Sequence, residues 1–446
     1  MKSFLKKKVI IALSLTAIVS ISSADSWPEF RGPTGDGIAA AENIPEKLDE
    51  SSNLVWKTDL PGRGWSSPVF DGTYLWVTAA EEIFPDEEER IKILESQGEE
   101  AKKFKVRQVA KSIKLSAIQV DFESGKLLQT VPLIKIDNPQ TIHALNSFAS
   151  PTPVLKDGKL YAHFGAFGTF CIDTTSREVD WERKIEIEHS VGPGSSPFIY
   201  EDKLILICDG TDRQFVTALD IKTGETAWLT ERPEMRAVKG DQKKSYNTPV
   251  LIEDGGTPQI ICLGAQWLIS YAPDTGDELW RLDHGAGFSI VPRPVYSPKH
   301  KLLYFSTGFG KPVLIAVKVD GKGDITDSDK IAWKESKRIP ARPSPLLIGD
   351  ELYVIADGGV TTCLNAATGE TYWNDRIDGN YSASPLFADG KIFVASHEGV
   401  ITVFKPGTTF SPLSETTLEG SIMASPIAVN EALLIRSEQA IYRFGN

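Results

Sequence analysis

Along this chain the apolar positions fall in short alternating runs, and one pattern of runs keeps returning. A proline after small residues opens an apolar strand at SSPVF (Pro68), SPTPV (Pro153), SSPFI (Pro197), NTPVL (Pro249), PRPVY (Pro294), PSPLL (Pro345), ASPLF (Pro385) and ASPIA (Pro426). The spacings of 85, 44, 52, 45, 51, 40 and 41 residues mostly match a four-stranded propeller blade rather than a helical repeat. After each proline come a polar turn such as KDGK or ADGK, an alternating strand such as LYAHFG or KIFVAS, a glycine-rich turn and a third strand. This is a period of two throughout, with almost no helical periodicity.

The third strand ends on a threonine-glycine turn, as in ALDIKTGETAW (218–228), YAPDTGDELW (271–280) and CLNAATGETYW (363–373). Asp220 is placed to bond backbone ahead of itself, and Gly224 to take the left-handed conformation that closes a tight hairpin. The fourth strand follows at once and carries a periodic tryptophan: Trp56, Trp181, Trp228, Trp280, Trp333 and Trp373. Large apolar area at a periodic position predicts that these rings fasten the outer strands.

The phase of the repeat predicts how the ring closes. LVWKTDL (54–60) is a fourth strand with nothing before it, whereas SPIAVNEALLIRSEQAIYRF supplies only three strands at the other end. The first should complete the last blade, with Val55 and Trp56 beside Ile441 to Phe444, leaving no open sheet edge. The predicted fold is all-β: an eight-bladed β-propeller over residues 54–446, preceded by an extension, 25–53. The long first spacing holds EEIFPDEEERIKILESQGEEAKKFKVRQVAKS (81–112), a charged segment expected to be helical with Ile91 and Leu94 as one apolar seam. It is read as a lid or docking arm, or as a solvated excursion.

Residues 1–24 carry Lys2, Lys6, Lys7 and Lys8, an apolar run from Val9 to Val19, then Ser22, Ser23 and Ala24. That is the pattern of a cleaved secretory signal, so the chain is expected to be exported, to the periplasm or outside the cell. The apolar run is shorter than the roughly 20 residues of a membrane span, and the mature chain has no second candidate. Loss of those four lysines takes the net charge from −12 to −16, which argues against nucleic acid or anionic lipid as a partner. A monomer is expected. Cys171, Cys208, Cys262 and Cys363 lie in apolar strand-like runs with no metal-knuckle or redox spacing. They read as buried free thiols, with a long-range disulfide left open.

LYVIADGGVTTCLNAATGETYW (352–373) and KIFVASHEGVITVF (391–404) closely resemble the repeat of the pyrroloquinoline quinone (PQQ) family. The resemblance covers residues 54–446, and WPEFRGPTGDG (27–37) is similar to the mature start of exported PQQ-like propellers. It implies one of two activities. Some members are quinoprotein alcohol dehydrogenases holding PQQ and calcium on the propeller axis; others, such as the outer-membrane assembly factor, are non-catalytic protein-binding platforms. The dehydrogenases carry adjacent cysteines, an aspartate base and a Glu/Asn/Asp calcium site, and none of these matches by motif here. The expectation is a binding or assembly scaffold in the cell envelope with no cofactor, engaging an envelope protein or small ligand. The alternative is a PQQ- or metal-dependent oxidoreductase.

Propeller sites favour the face where outer strands lead to the next inner strand and where second strands lead to third. The first loop set nominates Arg63, Trp65, His143, Asn146, His189, Tyr246, Asn247, His284, Phe288, Arg293, Arg338, Arg342, Asn380 and Tyr381. His143, His189 and His284 recur eight to ten residues before a repeat proline, a spacing that suggests imidazole metal ligation or, as preferred here, ordinary hydrogen-bonded histidines. The four arginines offer bidentate anion binding or pairing with the protein's own acids. The second loop set adds Asp209, Asp212 and Arg213, which resemble half a calcium loop, then Trp267, His397 and Glu398. Trp65, Trp267 and Tyr381, if exposed, would be stacking surfaces for a carbohydrate.

Overall fold

A computed structural model describes residues 26–285 and 287–445. Residues 1–24, expected from sequence to be a secretory signal, lie outside the described residues. Eight sheets radiate around one axis, each with four antiparallel strands, and the fourth adds a short fifth strand at its rim. Blade six is representative: Leu346–Ile348 on the axis, then Glu351–Ile355, Val360–Asn365 and Thr371–Arg376 at the rim. Its second and third strands are almost wholly buried, while its rim strand faces solvent. Apolar side chains from both faces of each sheet pack against neighbouring blades, so the core is a ring of clusters between sheets.

The chain ends meet as the repeat phase predicts. Leu54–Asp59 pairs antiparallel with Ala440–Gly445, with Trp56 opposite Arg443 and Asp59 opposite Ala440. Arg436, fully buried in blade eight, donates to the Ser66 carbonyl at 2.8 Å and the Thr78 carbonyl at 2.7 Å of blade one, stitching this seam from the inside.

Within the threonine-glycine turns, Asp220 accepts from the amides of Lys222 and Thr223 at 2.9 Å, and Gly224 has a φ of 71°. The periodic tryptophans reach further than their own strands. Trp181 donates its indole N–H to the Ile221 carbonyl of the next blade at 3.0 Å, and its ring lies so close to Gly224 that a Cβ there would come within 2.6 Å. Trp56 does the same to Phe122 and Gly125, Trp228 to Pro273 and Gly276, and Trp333 to Ala366 and Gly369. The glycine therefore serves two constraints, a positive φ and the neighbouring blade's ring. Trp280 departs from the series: its N–H bonds Gln259 within its own blade, where the parallel strand Gly323–Asp324 covers the rim.

The charged insertion is shorter than its sequence signal. Tyr74–Ile83 and Ser112–Asp121 pair along their full lengths, so the excursion leaves after residue 83 and returns at 112. Its one α-helix is Glu87–Ser96, capped by Asp86, whose carboxylate accepts the Glu89 amide at 2.9 Å. Leu94 is fully buried, but Ile91 is 36% exposed, so the expected two-residue seam reduces to Leu94. The arm lies against the neighbouring loops rather than standing free. Arg107 pairs with Glu99 at 2.9 Å and donates to the Ser190 carbonyl at 2.8 Å, Lys103 meets Asp241 at 2.8 Å, and Arg107–Gln108 pairs with Ile142–His143.

The N-terminal extension has a place no repeat logic assigned. Trp27 exchanges backbone bonds with Phe70 of blade one, and the Pro28 carbonyl accepts from Leu155 of blade two at 2.8 Å. Arg31 donates to the Pro345 carbonyl of blade six at 2.9 Å, and Gly37 and Ala39 bond Phe387 of blade seven. All these partners sit at, or two residues beyond, a strand-opening proline. The segment thus crosses the channel below the prolines and closes it.

All four cysteines are buried and free. Among the described residues no helix is long and apolar enough to cross a membrane.

Candidate binding site on the propeller axis

Each strand-opening proline places two side chains on the axis, and the repeat makes them into rings. The residue just before the proline is Ser67, Thr152, Ser196, Thr248, Arg293, Ser344, Ser384 or Ser425, a hydroxyl in every blade but the fifth. These seven hydroxyls are buried and line one axial cavity. They link into a belt: Ser67 N–H donates to Thr152 Oγ1 at 2.9 Å, Thr152 N–H to Ser196 Oγ at 3.0 Å, Ser344 N–H to Ser384 Oγ at 3.0 Å and Ser384 N–H to Ser425 Oγ at 2.9 Å. Each Oγ that accepts an amide still has its O–H to donate, which Ser384 gives to Ser344 Oγ at 3.0 Å. The belt opens where blade eight meets blade one, and there the fully buried Ser67 Oγ has no partner.

Two residues before the hydroxyl position stands a second ring, all eight members of which line the cavity: Trp65, Ser150, Gly194, Tyr246, Val291, Arg342, Ser382 and Met423. The framework repeats, but this ring does not, so the character of the site comes from it. Above lie His143, Leu145, Asn146, Phe288 and Phe309 at the mouth, and Phe30 of the N-terminal segment also lines the wall. The cavity measures about 440 Å³, inside the roughly 300–1,000 Å³ range of small-ligand sites.

Blade five breaks the hydroxyl ring because its arginine turns to the plug. Arg293 pairs with Glu29 at 2.9 Å, donates to the Phe30 carbonyl, and bonds the Pro249 carbonyl at 3.1 Å. Both partners are nearly sealed from solvent. Gly35 packs on this guanidinium so closely that a Cβ would come within 2.5 Å.

Of the side chains nominated from sequence, Trp65, His143, Asn146, Tyr246, Phe288 and Arg342 line the cavity. The others are placed elsewhere. Asn247 is buried and donates to the Pro292 carbonyl. Tyr381 is completely buried, its hydroxyl bonded to the Asp378 carbonyl at 2.8 Å, so it offers no stacking surface. Trp267 lies at the start of a third strand, away from the cavity, with the Arg281 guanidinium 5.3 Å from its ring centre. Arg213 pairs with Glu231 at the surface, and Asn380 with Glu398 at 2.8 Å.

The four arginines do not converge. Arg63 is taken by Glu82 at 2.7 Å and Glu438 at 3.0 Å, Arg293 by Glu29, and Arg342 by Asp357 at 2.8 Å through Nε, while Arg338 is exposed. The histidines do not converge either. His143 Nδ1 accepts the Leu145 amide, His284 bonds the Gly264 carbonyl, and His189 packs edge-on against Phe167 with ring centres 4.8 Å apart. Asp209 forms a fully buried ion pair with Arg232 at 2.7 Å, and Asp212 accepts the Glu188 amide, so the half calcium loop is committed to the fold. Among the described residues no group of three His, Cys, Asp or Glu side chains is placed to hold a metal ion.

Burial sets the charge state of the imidazoles. It pushes His163 and His284 down to about 4, His189 to about 3 and His397 to about 4. His143 at the mouth is lowered first by burial, then by Arg107, Arg342 and Lys244. Each of these cations is paired with an acid, Arg107 with Glu99, Arg342 with Asp357 and Lys244 with Asp241, while no aspartate or glutamate lines the cavity. Calcium takes about six to eight oxygen ligands, several of them carboxylates, so these walls do not fit a calcium-held quinone.

Eight radial sheets around an axial cavity define a β-propeller. A family profile described as outer membrane protein assembly factor BamB matches residues 46–230 and 264–409, and the chain belongs to this PQQ-like β-propeller family. It is 28% identical over 144 residues to a 1-butanol dehydrogenase (quinone) of Thauera butanivorans; the match covers 28% of this chain and only 22% of that protein. Similar solved structures include BamB from Moraxella catarrhalis, with a TM-score of 0.54, 15% identity, and coverage of 76% of this chain and 100% of that one. Quinohemoprotein alcohol dehydrogenase from Comamonas testosteroni gives a TM-score of 0.65 at 11% identity over 95% of this chain and 81% of that one. At such identities these structures share the fold and nothing finer.

The hydroxyl ring is the feature that sequence reading missed. Its signal is the residue before each proline, which taken one blade at a time looks like the start of a strand.

Proposed function

We propose that this chain is an exported propeller that works by binding, as a non-catalytic scaffold for an envelope protein engaged at the cavity mouth. One observation carries the reading. The site is a pit with one entrance, its rim holding Leu145 at 48% and Phe309 at 39% exposure, and its walls holding no carboxylate to act as base or metal ligand. Exposed apolar side chains around a concave site mark binding surfaces. The profile name, with its reference to outer membrane protein assembly, supports an envelope partner.

The test is a photo-crosslinking residue at Phe309, with the full chain expressed in its own host. A discrete crosslinked envelope protein, absent when the same residue replaces the rim-strand Tyr372, is expected.

The dehydrogenase reading draws on the similarity to a quinone-dependent butanol dehydrogenase. Alcohol-dependent dye reduction by purified protein loaded with PQQ and calcium, without any crosslink at the mouth, would replace the scaffold reading with it.

A further inference from the structure

We infer that the occupant of the axial cavity is the carboxyl-terminal end of a polypeptide with an apolar last residue, its carboxylate held between Arg342 and the hydroxyl ring. The inference rests on the scaffold reading and names what the scaffold grips.

The shape comes first. The N-terminal segment closes the channel beneath the rings, so a loop entering the pit would have to turn and leave by the same mouth. A chain end does not. The walls are mostly apolar, from Trp65 and Met423 on one side to Tyr246 and Val291 on the other, which suits a terminal apolar side chain.

The polar groups supply the rest. Asp357 accepts Arg342 Nε at 2.8 Å and the amides of Ala341 and Arg342 at 2.9 and 3.2 Å. It fixes the guanidinium in place, yet neither Nη has a partner among the described residues. Those two nitrogens are a planar donor pair for a carboxylate. Ser67 Oγ, fully buried on the cavity wall, and Trp65 Nε1 also lack partners. A buried donor left unpaired is costly, and a carboxylate accepts from a guanidinium, a hydroxyl or an indole N–H. Capture of a terminal carboxylate is a recurrent mode of peptide recognition. Among the described residues Arg342 is the one Lys, Arg, Asp or Glu side chain lining the cavity, in a chain of net charge −12, and it favours the anionic end of a partner.

The test uses the purified chain and three probes: a fluorescein-labelled pentapeptide ending in phenylalanine with a free carboxylate, the same peptide as its carboxamide, and hydrocinnamate as a competitor. The acid peptide is expected to bind at least about tenfold tighter than the amide, the ratio a charge-assisted hydrogen bond gives. Hydrocinnamate should compete only weakly. Arg342→Met should remove the preference for the acid while leaving amide binding unchanged. Ser67→Ala, which disturbs no ion pair, should weaken the acid peptide about threefold to tenfold with an unaltered urea midpoint. Equal binding of acid and amide, hydrocinnamate binding as tightly as the peptide, or indifference to both substitutions overturns the inference. A crosslink at Phe309 would survive any of those results, so failure of the carboxylate site is distinguishable from failure of the scaffold reading.

Discussion

Lowering the pH from 7 to 5 is expected to cost this protein about 4–6 kcal/mol of stability, most of it from three histidines. His163, His189 and His284 are buried, and desolvation holds their imidazoles near 4, 3 and 4. In the unfolded chain each titrates near 6.5. Between these values the unfolded state binds protons that the folded state refuses. Stability is therefore full above pH 6.5 and falls as pH drops through the window, by about 1.4 kcal/mol per unit for each group. Lys244 adds to the depression at His189, and the Gly264 carbonyl and Asp283 only partly offset it at His284. Glu29 and Glu82, which burial holds above the usual carboxyl value, act in the opposite sense and subtract from the total toward the acid end. Urea unfolding at pH 8, 7, 6 and 5 measures the effect, and His284→Gln should remove one histidine's share of the slope. Stability unchanged between pH 7 and 5 would contradict the burial of these rings.

Replacing Arg293 with alanine is expected to destabilise the fold by about 3–5 kcal/mol, the usual cost of leaving one member of a buried ion pair alone. Glu29 would keep its charge or take up a proton in a sealed site, and the Phe30 and Pro249 carbonyls would lose a donor. The double substitution Glu29→Leu with Arg293→Met removes both charges and fills their volume, so it should recover most of the loss. Urea midpoints for the single and double variants separate the two cases. Limited proteolysis between residues 27 and 39 should report the single variant as opened and the double as protected. A single variant within about 0.5 kcal/mol of the parent, as is typical of surface changes, would show that the extension is not anchored by this pair.

The ring of blades was legible because it is written eight times. Proline spacing, the alternating strands and the out-of-phase LVWKTDL segment each follow from local patterns, and together they determine the register of Leu54–Asp59 against the last strand. The partner of each periodic tryptophan was not legible. Trp181 and Gly224 belong to different blades, and only the packed ring brings them together. The plug was less legible still: residues 27–39 have no periodicity, and Arg293 meets Phe30 across 263 positions of sequence.

Six of the residues nominated from sequence line the axial cavity. Sequence reading also nominated Tyr381, Asn247, His189 and His284, which fold back between blades. A loop that begins at the mouth can end in the core, and composition alone does not tell the two apart. The hydroxyls escaped notice for the opposite reason. Serine and threonine before a proline look like ordinary strand openings until seven of them are arranged about one axis.

The central claim is that the N-terminal segment is a structural floor, making the propeller channel a pit with one entrance. Native-state hydrogen exchange on the full chain tests it directly at five amides that cross that junction: Trp27, Ala39, Phe70, Leu155 and Phe387. They should exchange as slowly as the strand amides of Tyr353 and Val394 in the blade cores. Rapid exchange at Trp27 and Ala39 beside protected blades would mean the segment is a loose tail, and the channel would then be open at both ends.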